Sequence, residues 1–302
     1  MVNQKQSTKS QILQILRTST SPINGDTLAK ETGVSRVAVW KAIQSLQLSG
    51  YKIYSARNGY QLSEDLADSL FPWEFGMIES SFSHFAETDS TMIQGRFAAE
   101  ECTAGELKVI TADIQNKGQG HADHKWTTTK GSLACTIVSK ESISLAESHR
   151  FVMACQIASA KVLEKSSGRK IYVRWPNDIW TEKGKAGGIL DDVSATGSFT
   201  NWINLGLGLN LSAKPKISRT DYIFGRDKKI LRKDLLKEII GNLENQWNLF
   251  CPDIGKKFKV KDSEKTYLFK GINSYGWAIT ESNGQEKSFP PCTINFIKQE
   301  KN

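Results

Sequence analysis

Residues 203–211 read Ile-Asn-Leu-Gly-Leu-Gly-Leu-Asn-Leu, INLGLGLNL. Strict alternation over nine residues is the pattern of a strand, whose successive side chains point to opposite faces. Leu205, Leu207, Leu209 and Leu211 then share one face, and Gly206, Gly208 and Asn210 the other. A glycine face in a strand marks close approach by a ligand, by another backbone, or by a helix packed across it. Asn210 can read an amide or a purine edge.

Just upstream, residues 170–193 read KIYVRWPNDIWTEKGKAGGILDDV. Ile171 and Val173 lie on one face of a strand, Pro176-Asn177-Asp178 breaks it, and Ile179-Trp180 begins another. After a turn at Glu182-Lys183-Gly184, Lys185 opens a third strand, followed by Gly187-Gly188. A lysine beside two glycines can bring its ammonium close to an anion, because no side chain blocks the approach. The alternative is a hairpin lysine in solvent.

Further out, VIT at 109–111 and SLACTIV at 132–138 read as strands joined through QNKGQGHADHKW at 115–126. That connection is long for a turn, and long ordered loops more often carry function. It reads as a surface loop, a metal fragment, or a cover over a bound phosphate. His121-Ala-Asp123-His124 crowds its ligand types into four residues, a poor zinc spacing, so no metal is assigned. FSHFAETDSTMIQGRFAAE gives a strand, a polar turn at Asp89-Ser90-Thr91 and a helix. Those hydroxyls either cap the helix or bond a ligand's polar head beside its positive end.

Residues 145–166 form a long helix containing Phe151, Ile157 and Leu163. Residues 66–80, with Pro72 and no clean period, read as a linker. An amphipathic helix at 234–250 precedes about five alternating runs, with turns at Asp262-Ser263, Asn273-Ser274 and Asn283-Gly284.

The N-terminal segment has a different rhythm. Ile12, Leu13, Ile15 and Leu16 fall at helical spacing, Gly25–Thr32 is a short second helix stopped by Gly33, and Ser35 caps a third. In the third helix Ala38, Val39, Ala42, Ile43 and Leu46 make the buried stripe. Arg36, Trp40, Lys41 and Gln44 share the outer face. YKIYSARNGYQL then gives two alternating runs around Asn58-Gly59, a hairpin signal. This order is that of a winged helix-turn-helix, whose third helix would enter a major groove while Ser, Thr and Lys side chains hold phosphates. A small helical domain for docking or dimerisation is the alternative.

Charge agrees with a terminal polyanion site. The net charge is +8, with eight basic against four acidic residues in 1–65, nine against five in 256–302, and 23 against 23 between. At 39% hydrophobic and 24% charged, the 302 residues imply a soluble protein of two or three domains. No apolar run approaches the ~18 residues that span a bilayer. The N-terminus lacks the apolar centre of a secretory signal. The five scattered cysteines, with no CxxC pair, favour a reducing cytoplasm over a zinc site.

These motifs in this order resemble the biotin protein ligases, in particular the bifunctional kind that also represses biotin synthesis. The resemblance spans nearly the whole chain: SRVAVWKAIQSLQLSGY, DST at 89–91, Gln115 with the glycine loop and Trp126, RWPND at 174–178, KAGGIL at 185–190 and GLGLN at 206–210. It implies an α+β fold in four parts. These are a winged helix-turn-helix over 1–65, the linker 66–80, a mixed-sheet catalytic domain over 81–255 related to class II aminoacyl-tRNA synthetases, and an SH3-like β-barrel over 256–302.

The resemblance also implies a reaction. Biotin and ATP with Mg²⁺ give biotinyl-5′-adenylate, and a lysine of the biotin carboxyl carrier domain of acetyl-CoA carboxylase then takes the biotin. The adenylate is also a corepressor, favouring a homodimer on operator DNA through Ser35, Arg36, Trp40, Lys41 and Gln44. Ser90, Thr91 and Gln115 would bond the ureido and ring end of biotin, and Gly118, Gln119, Gly120, His121 and Gly188 would border it. Lys185 would neutralise carboxylate and α-phosphate, with Asp178 as its catalytic companion. Trp126, Asn177, Asp178, Gly206, Gly208 and Asn210 would line the adenylate, Asn177, Asp178 and Asn210 on its metal side, with Gly118 and Gly120 lending backbone N–H groups to phosphate.

The chain departs from the family pattern in the loop. Gln119 and His121 stand where basic residues are usual, Asp123 where Gly is usual, Arg174 for Lys and Met92 for Asn. An imidazole is largely neutral at neutral pH, so the expected grip on the phosphate is weaker, compensated at most by Lys117, Lys125 and Arg174. Three function classes follow: ligase plus repressor, a biotin-responsive regulator with weak or no ligase activity, and a ligase for another acyl acid such as lipoate. The winged helix and motif order disfavour the last.

Overall fold

The computed structural model describes residues 6–66, 68–121, 124–145, 148–174, 177–224, 231–250, 255, 257–260, 265–272, 278–289 and 294–296. The expected turns at Asp262-Ser263 and Asn273-Ser274, and Asp123, Trp175 and Pro176, lie outside those residues. The chain divides into two compact units, 1–84 with 230–233, and 85–229 with 234–302.

In the first unit, helices α1 (Thr8–Thr18), α2 (Gly25–Thr32) and α3 (Arg36–Leu48) each start on a capping side chain, the third on Ser35 as expected. Ser7, Asn24 and Ser35 accept from the N–H groups of Ser10, Thr27 and Ala38, closing donors that a helix start leaves open. Val39, Ala42, Ile43 and Leu46 are buried, with Ile12, Leu13 and Leu28 in the same core. Arg36, Trp40, Lys41 and Gln44 are all exposed.

A hairpin of β1 (Lys52–Ala56) and β2 (Gly59–Glu64) follows, but its turn is Arg57-Asn58, since Ala56 pairs with Gly59. Gly59 opens β2 at φ 135, and a side chain there would strike the Ile23 carbonyl. That approach lets Ile23 and Tyr60 exchange backbone hydrogen bonds of 2.9 and 2.8 Å.

The segment expected to be a linker is built into this unit. Pro72–Ser81 makes 3-10 turns kinked at Gly76, with Glu74 and Phe75 buried. The Glu74 carboxylate sits among Arg17, Lys233 and Tyr51. Arg232 donates from its backbone and side chain to Asp68 at 2.7 and 2.9 Å.

The second unit carries a seven-stranded sheet. Its strands are β3 (Phe82–Thr88), β4 (Leu107–Gln115), β5 (Leu133–Ser139), β6 (Tyr172–Arg174), β7 (Asp178–Trp180), β8 (Lys185–Thr196) and β9 (Phe199–Leu209), in the order β3-β4-β5-β9-β8-β7-β6. The five pairs from β4 to β6 are antiparallel. Helix α4 (Thr91–Glu101) packs on β4, β5 and β9, and α5 (His149–Ser167) on β6 to β9. The odd leucines of β9 are buried as the alternation requires.

Helix α6 (Arg232–Phe250) leads to five antiparallel strands: β10 (Lys257–Val260), β11 (Thr266–Ile272), β12 (Ala278–Ser282), β13 (Gln285–Phe289) and β14 (Ile294–Phe296). Their order is β13-β12-β11-β10-β14. Asn283-Gly284 forms the β12–β13 turn with φ 54 and 75, the two positive values of a type I′ turn. Among the described residues no helix is long and apolar enough to cross a membrane.

Past β5, burial alone pushes the carboxyl of half-buried Glu141 up to about 7. A carboxyl raised by folding subtracts stability as pH climbs from its unfolded value toward its folded one. Glu141→Gln removes that loss. It is expected to be more stable than wild type at pH 8 by about 1–3 kcal/mol, the lower figure allowing for partial exposure, and equal to it at pH 4. Urea midpoints at the two pH values measure the difference.

Candidate active site

The motifs that are far apart in sequence meet on one face of the sheet. Strand pairing sets Gly188 opposite Gly208 and Leu190 opposite Gly206. Over them lies a cleft of about 280 Å³ bordered by the start of α4, Gln115, the glycine loop, Asn177-Asp178 and Lys185.

At one end, Ser90 is fully buried and its Oγ accepts from the N–H of Met92 at 3.2 Å. The capping role and a place in the cleft fall on the same residue. Gln115 Oε1 accepts from the Thr91 N–H at 2.8 Å and from its hydroxyl at 3.1 Å, while Thr136 donates to Thr91 Oγ1 at 2.9 Å. Gln115 Nε2 reaches Thr128 Oγ1 at 3.4 Å. These polar groups are fixed before any ligand arrives, and they suit a neutral, hydrogen-bonding head group.

The cleft also holds a charge pair. Lys185 Nζ lies 2.7 Å from Asp178 Oδ1, and Asp178 Oδ2 accepts from Trp180 Nε1 at 3.2 Å. A Cβ on Gly188 would lie 3.5 and 3.6 Å from Lys185 Cε and Nζ, so the stem runs over that glycine. Lys185 thus stands beside the ribbon paired to Gly208 and borders the cleft. Asn177 borders the cleft while its Nδ2 donates to the Ile189 carbonyl at 2.6 Å.

The loop folds back on itself. Gly118 O accepts from Trp126 N at 2.9 Å, and Gly120 N donates to His124 O at 2.8 Å. Side chains at 118 or 120 would strike the carbonyls of Trp126 or His124. The two glycines therefore serve the loop's own return arm, and the Gly120 N–H is already spent. Gln119, Gly120, His121 and Trp126 line the cleft, and so do His124 and Lys125.

Two side chains reach over the strand glycines at the cleft, one of them from the first turn of α4. A Cβ on Gly208 would lie 2.6 Å from the Trp126 ring, and one on Gly206 2.5 Å from Met92 Sδ. The indole and the thioether occupy the space that side chains at 208 and 206 would need. Trp126 Nε1 is buried with no hydrogen-bond partner among the described residues.

Several expectations are corrected. Asn210 does not line the cleft: it is buried, and its Nδ2 donates to the Asp221 carbonyl at 3.2 Å. It lies one residue past β9, where the strand face no longer dictates its direction. Gly118 also falls outside the lining. Of the three compensating cations, Lys117 pairs with Asp89 at 2.8 Å and Arg174 stacks on Trp180, 3.9 Å from the ring centroid. Only Lys125 reaches the cleft. Sequence reasoning also missed Met92 and His124 as lining. The two-residue spacing of the loop glycines was the available sign that the loop pairs with itself. Cys135 lines the cleft as well, but burial, aided by Cys155, pushes its thiol far up, so it is no nucleophile.

Comparison with known proteins agrees with this arrangement. Residues 8–61 match an HTH domain, and residues 85–210 match the biotin/lipoate A/B protein ligase family. The chain is 24% identical over 293 residues to the bifunctional ligase/repressor BirA of Bacillus subtilis, covering 86% of this chain and 90% of that one. It is 24% identical over 306 residues to the Escherichia coli protein of the same name, covering 92% and 94%. It is 30% identical over 132 residues to the biotin–[acetyl-CoA-carboxylase] ligase of Paracoccus denitrificans, covering 43% and 54%. An HTH match thus stands ahead of a segment, residues 85–210, that matches the biotin/lipoate A/B protein ligase family and carries most of the motifs gathered around the cleft.

Proposed function

We propose that the protein is an ATP-dependent biotin ligase that also represses transcription through its N-terminal domain. One observation carries the reading. The Lys185 ammonium stands over a glycine ribbon in the same cleft as the fixed polar groups of Ser90, Thr91 and Gln115.

The chemistry follows from that layout. The polar end holds the ureido ring, which directs the biotin carboxylate toward Lys185. A carboxylate oxygen attacks the α-phosphorus of ATP and pyrophosphate leaves. Two anions must meet, and a fixed ammonium lowers the cost of the charge that gathers as they do. The carrier lysine amine then attacks the carbonyl of the mixed anhydride. AMP leaves and the amine loses a proton. The Trp126 indole covers the strand over which the adenylate lies, and Lys125, His121 and His124 border its phosphate. Mg²⁺ comes with ATP. The Asp178 carboxylate is the oxygen donor that suits a cation held mainly by waters and phosphates.

The carrier domain of acetyl-CoA carboxylase is the acceptor, and the reaction belongs in the cytoplasm. The exposed face Arg36, Trp40, Lys41 and Gln44 enters operator DNA, as a homodimer if the operator is two-fold. The central sheet is read as the class II synthetase-like catalytic fold, and the five C-terminal strands as an SH3-like barrel that helps to hold ATP and the carrier.

Incubation with ATP, biotin and a carrier domain, followed by mass spectrometry, is expected to add one biotin to the carrier. Biotin binding with no carrier mass change would replace this reading with that of a pure regulator.

A further inference from the structure

Lys185 is a flexible lysine, and an ammonium on a four-carbon stem does not position itself. We propose that Trp180 is a positioning residue for that ammonium, acting through Asp178. Nothing in the family pattern assigns Trp180 a role, and the inference rests on the reading of the cleft as adenylate-forming.

The geometry is specific. Asp178 and Trp180 are two apart on β7, so they share a face. Across the β7–β8 pair Trp180 stands opposite Lys185, and Asp178 opposite Gly188. Each Asp178 oxygen has its own donor: Oδ1 takes Lys185 Nζ at 2.7 Å and Oδ2 takes Trp180 Nε1 at 3.2 Å. A carboxylate held at one oxygen can turn about its bond to Cβ. Held at both, its plane is set, and with it the place where the ammonium rests.

The indole is itself held. The Arg174 guanidinium lies 3.9 Å from its ring centroid, a cation on the electron-rich face. The backbone beneath is tied from the α5 side, where Gln156 Nε2 donates to the carbonyls of Arg174 and Asp178 at 2.9 and 2.8 Å. One ring thus fixes a carboxylate by its edge and a guanidinium by its face. An anionic ligand draws Lys185 away from Asp178. The indole N–H then remains on the carboxylate, which is not left without a donor, so the transfer of the ammonium to phosphate costs less.

Two variants separate the parts of this device. Trp180→Phe keeps the ring and the Arg174 stack but deletes the N–H. Trp180→Leu deletes both. ATP–pyrophosphate exchange per titrated active site is expected to fall about tenfold in kcat for W180F, with the biotin KM and calorimetric biotin affinity within about twofold of wild type. W180L is expected to raise the ATP KM as well. In a Lys185→Met background, W180F should cost less than about twofold, because the two residues act on one ammonium. A merely structural ring would lower the melting temperature and the number of active sites and leave kcat per site unchanged. Wild-type kcat in W180F, or a full tenfold loss persisting in the K185M background, would overturn the inference. A wild-type protein that forms no biotinyl-adenylate would instead sink the ligase reading beneath it.

Discussion

Lys185→Met is expected to slow biotinyl-adenylate formation by about 10²–10³-fold, the usual cost of removing one fixed donor from developing charge. Methionine keeps the length and the apolar stem over Gly188 and removes only the charge. The fold should hardly notice. The Lys185–Asp178 pair is partly exposed, with side chains 39% and 25% accessible, and such pairs contribute about 1 kcal/mol or less. On the proposed reading the ureido ring is held by Ser90, Thr91 and Gln115 and not by Lys185, so calorimetric biotin affinity should change by less than about tenfold. Lys185→Arg should recover little, since a planar fork cannot take the place of a compact ammonium beside Asp178. Single-turnover adenylate formation, followed by quench and mass detection, measures the effect. A loss below about tenfold would mean that the phosphate charge is met elsewhere, with Lys125 the first candidate.

What could be read from the chain beforehand divides by range. The cap at Ser35, the outer face of α3 and the alternation of β9 are local, and they stand as the residues predict. The turn at Asn283-Gly284 does too. Asn58-Gly59 carries the same dipeptide but differs, because Ile23, 36 residues earlier in sequence, needs the glycine for its own bridge. No local pattern holds that information. The cleft was legible in its members, since glycine, lysine and hydroxyl motifs each announce close approach. What covers the glycines was not: Met92 and Trp126 come from a helix start and a loop end, and only the sheet register brings them over Gly206 and Gly208. Residues 66–80 misled for a related reason. Their one charged residue with a deep role, Glu74, finds partners on α1, just before β1 and at the start of α6.

Those partners make Glu74 the most sensitive position of the first unit. Its side chain has no exposed surface; Arg17 reaches it at 2.7 Å and Lys233 at 2.6 Å, and the Tyr51 hydroxyl donates to it. Burial by itself would raise its carboxyl. The hydrogen bonds from Arg17, Lys233 and Tyr51 outweigh burial and hold it below the usual carboxylate range. Glu74→Ala deletes the anion but leaves both cations, Lys233 itself nearly buried at 9% side-chain exposure. The expected loss is about 3–5 kcal/mol, the cost of stranding a buried charge rather than the worth of one bond. A folded carboxyl held low stabilises above its unfolded value, about 4.3, and stops doing so as pH falls through the folded one. The difference between wild type and E74A, read from urea unfolding of the full chain by tryptophan fluorescence, should therefore be full at pH 7 and shrink below about pH 4. Removing all three charges together, as Arg17→Met, Glu74→Leu and Lys233→Met, should restore much of the stability, because an apolar trio of similar volume strands no charge and leaves only the Tyr51 hydroxyl without its carboxylate. If E74A alone proved as stable as that triple variant, the cations would have to be finding water, and the cluster would hold the unit by packing instead of by charge.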